Sequence, residues 1–215
     1  MSRVRSYRIA AALIAACLSY WPNSAHAQTL RMKGDLGGTV SVGTRSVFSY
    51  FNNGSNGDAG YGIGGQFRVR TGNRVNTEWF LDRISGNIGN FAHRTDLHIG
   101  WSVLYYLLPV KEQRTLLQPY ILAGHCFDHT LQVANADPNN RAERWSSAVQ
   151  AGMGTHFRFT DRTDLSLVAQ YMVHLGRDVH SEWEDGEVHF EDHGASLEGH
   201  LLVNISFNYT LFDAW

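Results

Sequence analysis

The chain has 215 residues, with 18 Lys and Arg against 20 Asp and Glu and a formal charge of −2. That length fits one domain, and the charge argues against a nucleic-acid partner. No run of about 18 apolar residues occurs, which excludes a membrane-spanning helix.

At the start, Arg3, Arg5 and Arg8 precede an apolar run from Ile9 to Leu18, and Ala25-His26-Ala27 supplies small residues before Gln28. This reads as a secretory signal peptide over residues 1–27. A competing pattern, Ile14-Ala15-Ala16-Cys17, resembles a lipoprotein box, although its apolar run spans only eight residues. Cleavage after Ala27 removes three basic residues, leaving 15 against 20 acidic ones and a charge of −5. It also removes Cys17, so Cys126 is the only thiol and no intramolecular disulfide can form. Residues 28–37 form a short lead-in without pattern, and residues 38–215 form the domain.

Within that domain the apolar residues recur with a period of two, the signature of strands. The first strand covers 39–51, with Val40, Val42, Thr44, Phe48 and Tyr50 on one face and Ser41, Gly43, Arg45 and Ser49 on the other. The second covers 61–70 and the third 75–84, where Phe80 falls on the polar side. The fourth, 94–108, sets Leu97, Ile99, Trp101, Val103, Tyr105 and Leu107 against Asp96, His98, Gly100 and Ser102. The fifth, 118–128, has an ambiguous parity, with His125 assigned weakly to the inside. A polar loop over 130–144 follows, then strands over 145–160 and 163–176. The last stretch, 197–215, alternates most regularly: Leu201, Val203, Ile205, Phe207, Tyr209 and Leu211 oppose His200, Asn204, Ser206, Asn208 and Thr210.

The pattern predicts an all-β fold, an eight-stranded antiparallel up-and-down transmembrane β-barrel. Strands of about 10 residues, apolar on one side only, suit a membrane barrel, and only a closed sheet has no open edge to expose to lipid. Connections after strands two and six are short, and those after one, three, five and seven are mostly longer and polar, with the connection after strand four the exception. That asymmetry is expected of outer-membrane barrels. A soluble periplasmic barrel of the lipocalin kind would alternate too, with its apolar face around a ligand. The polar face gathers Arg45, Gln66, Arg68, Glu78, Asp82, Asp96, His98, Gln150, His156, Arg158, Gln170, Glu198 and His200. The apolar face carries Tyr50, Tyr61, Trp79, Trp101, Tyr105, Tyr171 and Tyr209, several near strand ends, so it is read as facing lipid.

The chain resembles the small outer-membrane β-barrel proteins of Gram-negative bacteria, of the OmpA-barrel and OmpX type. The resemblance rests on the eight strands, on Pro119-Tyr120-Ile121-Leu122-Ala123-Gly124, on Gly152-Met153-Gly154 and on the aromatic C-terminus. There Phe207, Tyr209, Leu211 and Trp215 fit an assembly signal, while Asp213 departs from the expected apolar residue. The resemblance implies outer-membrane location, contact with lipid and lipopolysaccharide, recognition by the barrel-assembly machinery through the last strand, and a surface partner at the external loops. It implies no cofactor. Family members include adhesins and a few lipid-modifying enzymes, so the fold does not settle the role.

Three stretches carry chemistry. Asp82, Asp96, His98, His174, Glu198 and His200 gather toward the external end of the lumen, read as a polar plug because an eight-stranded barrel has room only for side chains. In the segment 180–193, Asp185-Gly186 signals a hairpin pairing Glu184 with Glu187, Glu182 with His189 and Trp183 with Val188. Trp183, Val188 and Phe190 form an apolar edge for external contact, and Glu184 with Glu187 is the weak candidate for a cation. Finally, His174 stands where lipid A deacylases of this family carry a catalytic His, with Gly176 in place of their Ser. Without a nucleophile that acyl transfer fails, so no catalytic residue is assigned.

Overall fold

The structure, a computed structural model, describes residues 37–51, 59–108, 116–176, 178–184, 186–193 and 199–214. The chain divides into Met1–Leu30 and Arg31–Trp215, and all described residues belong to the second unit. The signal-peptide and lipoprotein readings, the lead-in up to residue 36, Glu198 and Trp215 lie outside the described residues.

Among the described residues ten strands follow in order: β1 Thr39–Phe51, β2 Ala59–Arg70, β3 Val75–Ile88, β4 Ala92–Tyr106, β5 Leu117–Ala134, β6 Arg141–Arg158, β7 Thr163–Leu175, β8 Asp178–Glu184, β9 Glu187–His193 and β10 Gly199–Asp213. Eight close a barrel in the order β1-β10-β7-β6-β5-β4-β3-β2, every pair antiparallel, and β8 and β9 form a separate two-stranded sheet. Closure between β1 and β10 removes the open sheet edges, so the barrel strands pair with a neighbour on both sides.

Alternation decides which face is which. Asp82, Asp96, His98 and Asn208 are 0–1% exposed inside the lumen, whereas Leu81, Ile99, Trp101 and Tyr209 are 42–51% exposed on the outer wall. The apolar face therefore points out, which overturns the lipocalin-like alternative. No described residue is helical. The lumen also holds two apolar patches that divide its polar groups: Val47, Phe80, Ile84, Cys126, Ala148, Met172 and Leu202, and Leu104, Tyr106, Tyr120, Leu122 and Val168. Such large side chains need small ones beside them. The ring of Tyr120 occupies the space that a Cβ at Gly154 would take, and that of Phe80 the space above Gly100.

Three sequence expectations are corrected and one open question is answered. Val40 is buried rather than lipid-facing, beside a register shift in which β10 inserts Leu211 as an extra residue between the partners of Val40 and Ser41. Strands β5 and β6 run on through 130–134 and 141–144, which read as loop, and β3 extends to Ile88. His125 points outward beside Trp101 and is bonded to Ser147, Nε2 to Oγ at 2.6 Å. Cys126, whose side was open, faces the lumen and is fully buried.

Candidate functional site

Five of the six predicted lumen residues come together as placed by strand parity. Asp82 on β3, Asp96 and His98 on β4, His174 on β7 and His200 on β10 are all buried inside the barrel. What organises them is a residue that the sequence reading missed, Asp128 on β5. One Asp128 oxygen lies 3.2 Å from His98 Nε2, and the other lies 3.4 Å from His174 Nδ1 and 3.7 Å from Arg144 Nη2. Thr130 Oγ1 donates to Asp96 at 2.7 Å and lies 3.2 Å from Asp128 Oδ2. Asp96 in turn accepts both contacts of Arg94 Nε at 2.9 Å. The imidazole of His200 packs against the other two, with ring centroids 4.9 Å from His174 and 5.5 Å from His98.

Asp82 belongs to a second layer. Arg45 on β1 reaches Asp82 through Nε at 3.0 Å and Glu78 through Nη1 at 3.2 Å, and its guanidinium lies 4.5 Å from the centre of the Phe80 ring. Gln150 links this level across the lumen, donating to Ser102 Oγ at 2.8 Å and accepting from Gln170 at 3.0 Å. A charge taken out of water is tolerated only when paired, and the inward parity of Arg45, Arg94 and Arg144 supplies the partners.

Among the described residues, the cluster does not align a Ser-His-Asp relay. Ser146 Oγ lies 3.2 Å from His174 Nδ1, the same nitrogen that faces Asp128. A general base must take the nucleophile's proton on one ring nitrogen while the other is held by the carboxylate. Here both contacts fall on Nδ1. Gly176, the position of the absent Ser, has φ +136°, a conformation suited to glycine.

Above the lumen, β8 and β9 pair in the predicted register, Glu184 opposite Glu187, Glu182 opposite His189 and Trp183 opposite Val188. Gly186 has φ +88°, as a tight hairpin turn requires. The hairpin docks on the extensions of β5 and β6: Gln132 Nε2 donates to Val179 O at 2.9 Å, Asn140 Nδ2 donates to Val188 O at 2.7 Å, and Ser181 bonds Gln132 Oε1. Docking buries Val188, which is therefore not part of an exposed edge. Trp183 stays half exposed, its ring 6.1 Å from that of Phe91, and Phe190 is partly buried. Trp183, Phe91, Asn90, Asn135 and Ala136 line an open groove of about 620 Å³. Glu184 and Glu187 are both exposed. Among the described residues, no group of three or more His, Cys, Asp or Glu side chains is arranged to hold a metal ion.

The sequence model of the outer membrane protein beta-barrel domain matches residues 9–211. No curated protein matches the chain. Among solved structures, the fold is similar to that of Neisserial surface protein A, at 11% identity and TM-score 0.54 over 80% of this chain and 96% of that one. It is also similar to OprG from Pseudomonas aeruginosa, at 13% identity and TM-score 0.53 over 82% and 97% of the two chains. A major outer membrane protein from Thermus thermophilus gives 8% identity and TM-score 0.53 over 80% and 99%.

Proposed function

The chain belongs to the outer membrane protein beta-barrel family, and from that premise we propose that it is a non-enzymatic barrel whose lumen is plugged by polar side chains and whose external hairpin makes its specific contacts. The observation that carries the plug is the pairing across the lumen: Arg45 with Asp82 and Glu78, Arg94 with Asp96, and Asp128 with His98, His174 and Arg144. Side chains locked to one another fill the bore and lend the wall cross-links. Lipid and lipopolysaccharide surround the outer wall, and the outward Phe207, Tyr209 and Leu211 of β10 present the assembly machinery with its aromatic signal. Outside, the half-exposed Trp183 and the partly buried Phe190 are the apolar groups offered to a surface partner, a role for which aromatic residues are suited.

The enzyme alternative, a lipid A deacylase, is disfavoured by the inward position of His174, away from any acyl chain, and by Gly176. Mass spectrometry of lipid A from cells expressing the protein or its His174→Ala form decides between them. Unchanged lipid A in both is expected. Loss of an acyl chain that depends on His174 would make the protein a hydrolase.

A further inference from the structure

The lumen end at the start of β1 and the end of β10 is charged differently from the rest. Arg68 and Arg70 on β2 and Arg158 on β6 reach into it, together with one carboxylate, Asp164 on β7. Asp164 is committed to Arg68, Oδ2 to Nη2 at 2.6 Å, while its other oxygen accepts from Asn208 at 2.9 Å. Arg70 and Arg158 share one neutral acceptor: Gln118 Oε1 lies 3.4 Å from Arg70 Nη2 and 2.9 Å from Arg158 Nη2. Arg70 also reaches Tyr106 Oη at 3.3 Å. Among the described residues neither guanidinium has a carboxylate partner, and the next carboxylate up the lumen, Glu78, is held by Arg45. Three donors here are buried without an acceptor: Arg68 Nε, Arg70 Nε and Gln118 Nε2, on a glutamine only 1% exposed.

Two like charges sharing one neutral oxygen, beside three unused N–H groups, is an arrangement short of an anion. We propose that this end of the lumen binds an oxyanion of the phosphate class between Arg70 and Arg158, with Gln118 Nε2 donating to it. A phosphate group carries close to two negative charges near neutral pH, which offsets both guanidiniums, and its oxygens match their planar N–H forks. The same oxygen acceptors are presented by a free phosphate anion and, with one negative charge rather than two, by the phosphodiester of a lipid headgroup at the barrel rim. The site stands apart from the external hairpin and does not depend on its role.

The test uses the full barrel, folded in phosphate-free maltoside micelles and checked by its gel shift on boiling. Inorganic phosphate is titrated against sodium chloride at matched ionic strength while the unfolding temperature and the ³¹P linewidth are followed. A saturable response to phosphate alone is expected, and Arg158→Gln should raise the concentration for half effect by about tenfold or more. The linewidth reads binding on folded protein, so a change in stability of the variant does not confound it. Native mass spectrometry of barrel extracted from membranes separates the sources. A phospholipid retained by the wild type and lost in Arg158→Gln identifies a headgroup, whereas a phosphate response without retained lipid identifies the free anion. Identical responses to phosphate and chloride, with no lipid retained, would overturn the proposal.

Discussion

Replacing Asp128 by Ala removes the hub of the external polar cluster. The carboxylate faces His98 at 3.2 Å, His174 at 3.4 Å and Arg144 at 3.7 Å, with Thr130 Oγ1 at 3.2 Å. All of these side chains are buried, so solvent cannot replace what is lost. Removing one member of a buried ion pair costs about 3–5 kcal/mol, mostly as the penalty of the partner left behind. The contacts share one carboxylate and do not add. Asp128→Asn keeps shape and one acceptor oxygen, and should cost less, about 1–3 kcal/mol. Urea unfolding of the barrel in lipid vesicles, followed by tryptophan emission, measures both, with Leu202→Ala as an apolar reference in the same lumen. A loss below about 1 kcal/mol for Asp128→Ala, within reach of ordinary surface substitutions, would refute the view that this carboxylate holds the cluster together.

Other substitutions test other levels of the structure. Leu81→Arg places a guanidinium on the outer wall and should destabilise the barrel in vesicles by about 2–4 kcal/mol if that wall meets lipid; a neutral outcome would deny the orientation. Gly154→Val sets a side chain where the Tyr120 ring lies and pushes that ring against His156, whose ring centre is 4.5 Å away. The expected loss is about 1–3 kcal/mol, read from the same urea curves. Val188→Asp buries a carboxylate under the hairpin, which should free β8 and β9 to limited proteolysis while the boiling-dependent gel shift of the barrel is retained.

The membrane-embedded part of the fold was legible because lipid and lumen impose opposite demands on successive residues. Strand β4 is the clearest case, with Leu97, Ile99, Trp101 and Val103 opposing Asp96, His98, Gly100 and Ser102. Strand β5 was obscure for a physical reason: its inward Tyr120, Leu122 and Cys126 contribute to the apolar patches of the lumen, so both of its faces read as apolar there. That hid the parity of Asp128 and, with it, the centre of the candidate site. Beyond the membrane the signal fades again. Residues 130–134 and 141–144 continue β5 and β6, yet no lipid there requires an apolar outer face, and Glu143 and Arg141 stand exposed on the outside. The hairpin register was readable from Asp185-Gly186 alone, since a two-residue turn fixes every pair that follows. Its docking was not, because Gln132 and Asn140 come from a stretch that read as loop.

The measurement that bears most directly on a lumen filled by paired side chains is the current across a planar bilayer containing the folded barrel at neutral pH. Protein that shifts on boiling, and so is folded, should give no steady conductance. A stable, ohmic current carried by the same protein would mean that the bore is open, and that the ion pairs around Asp128 and Arg45 do not close it.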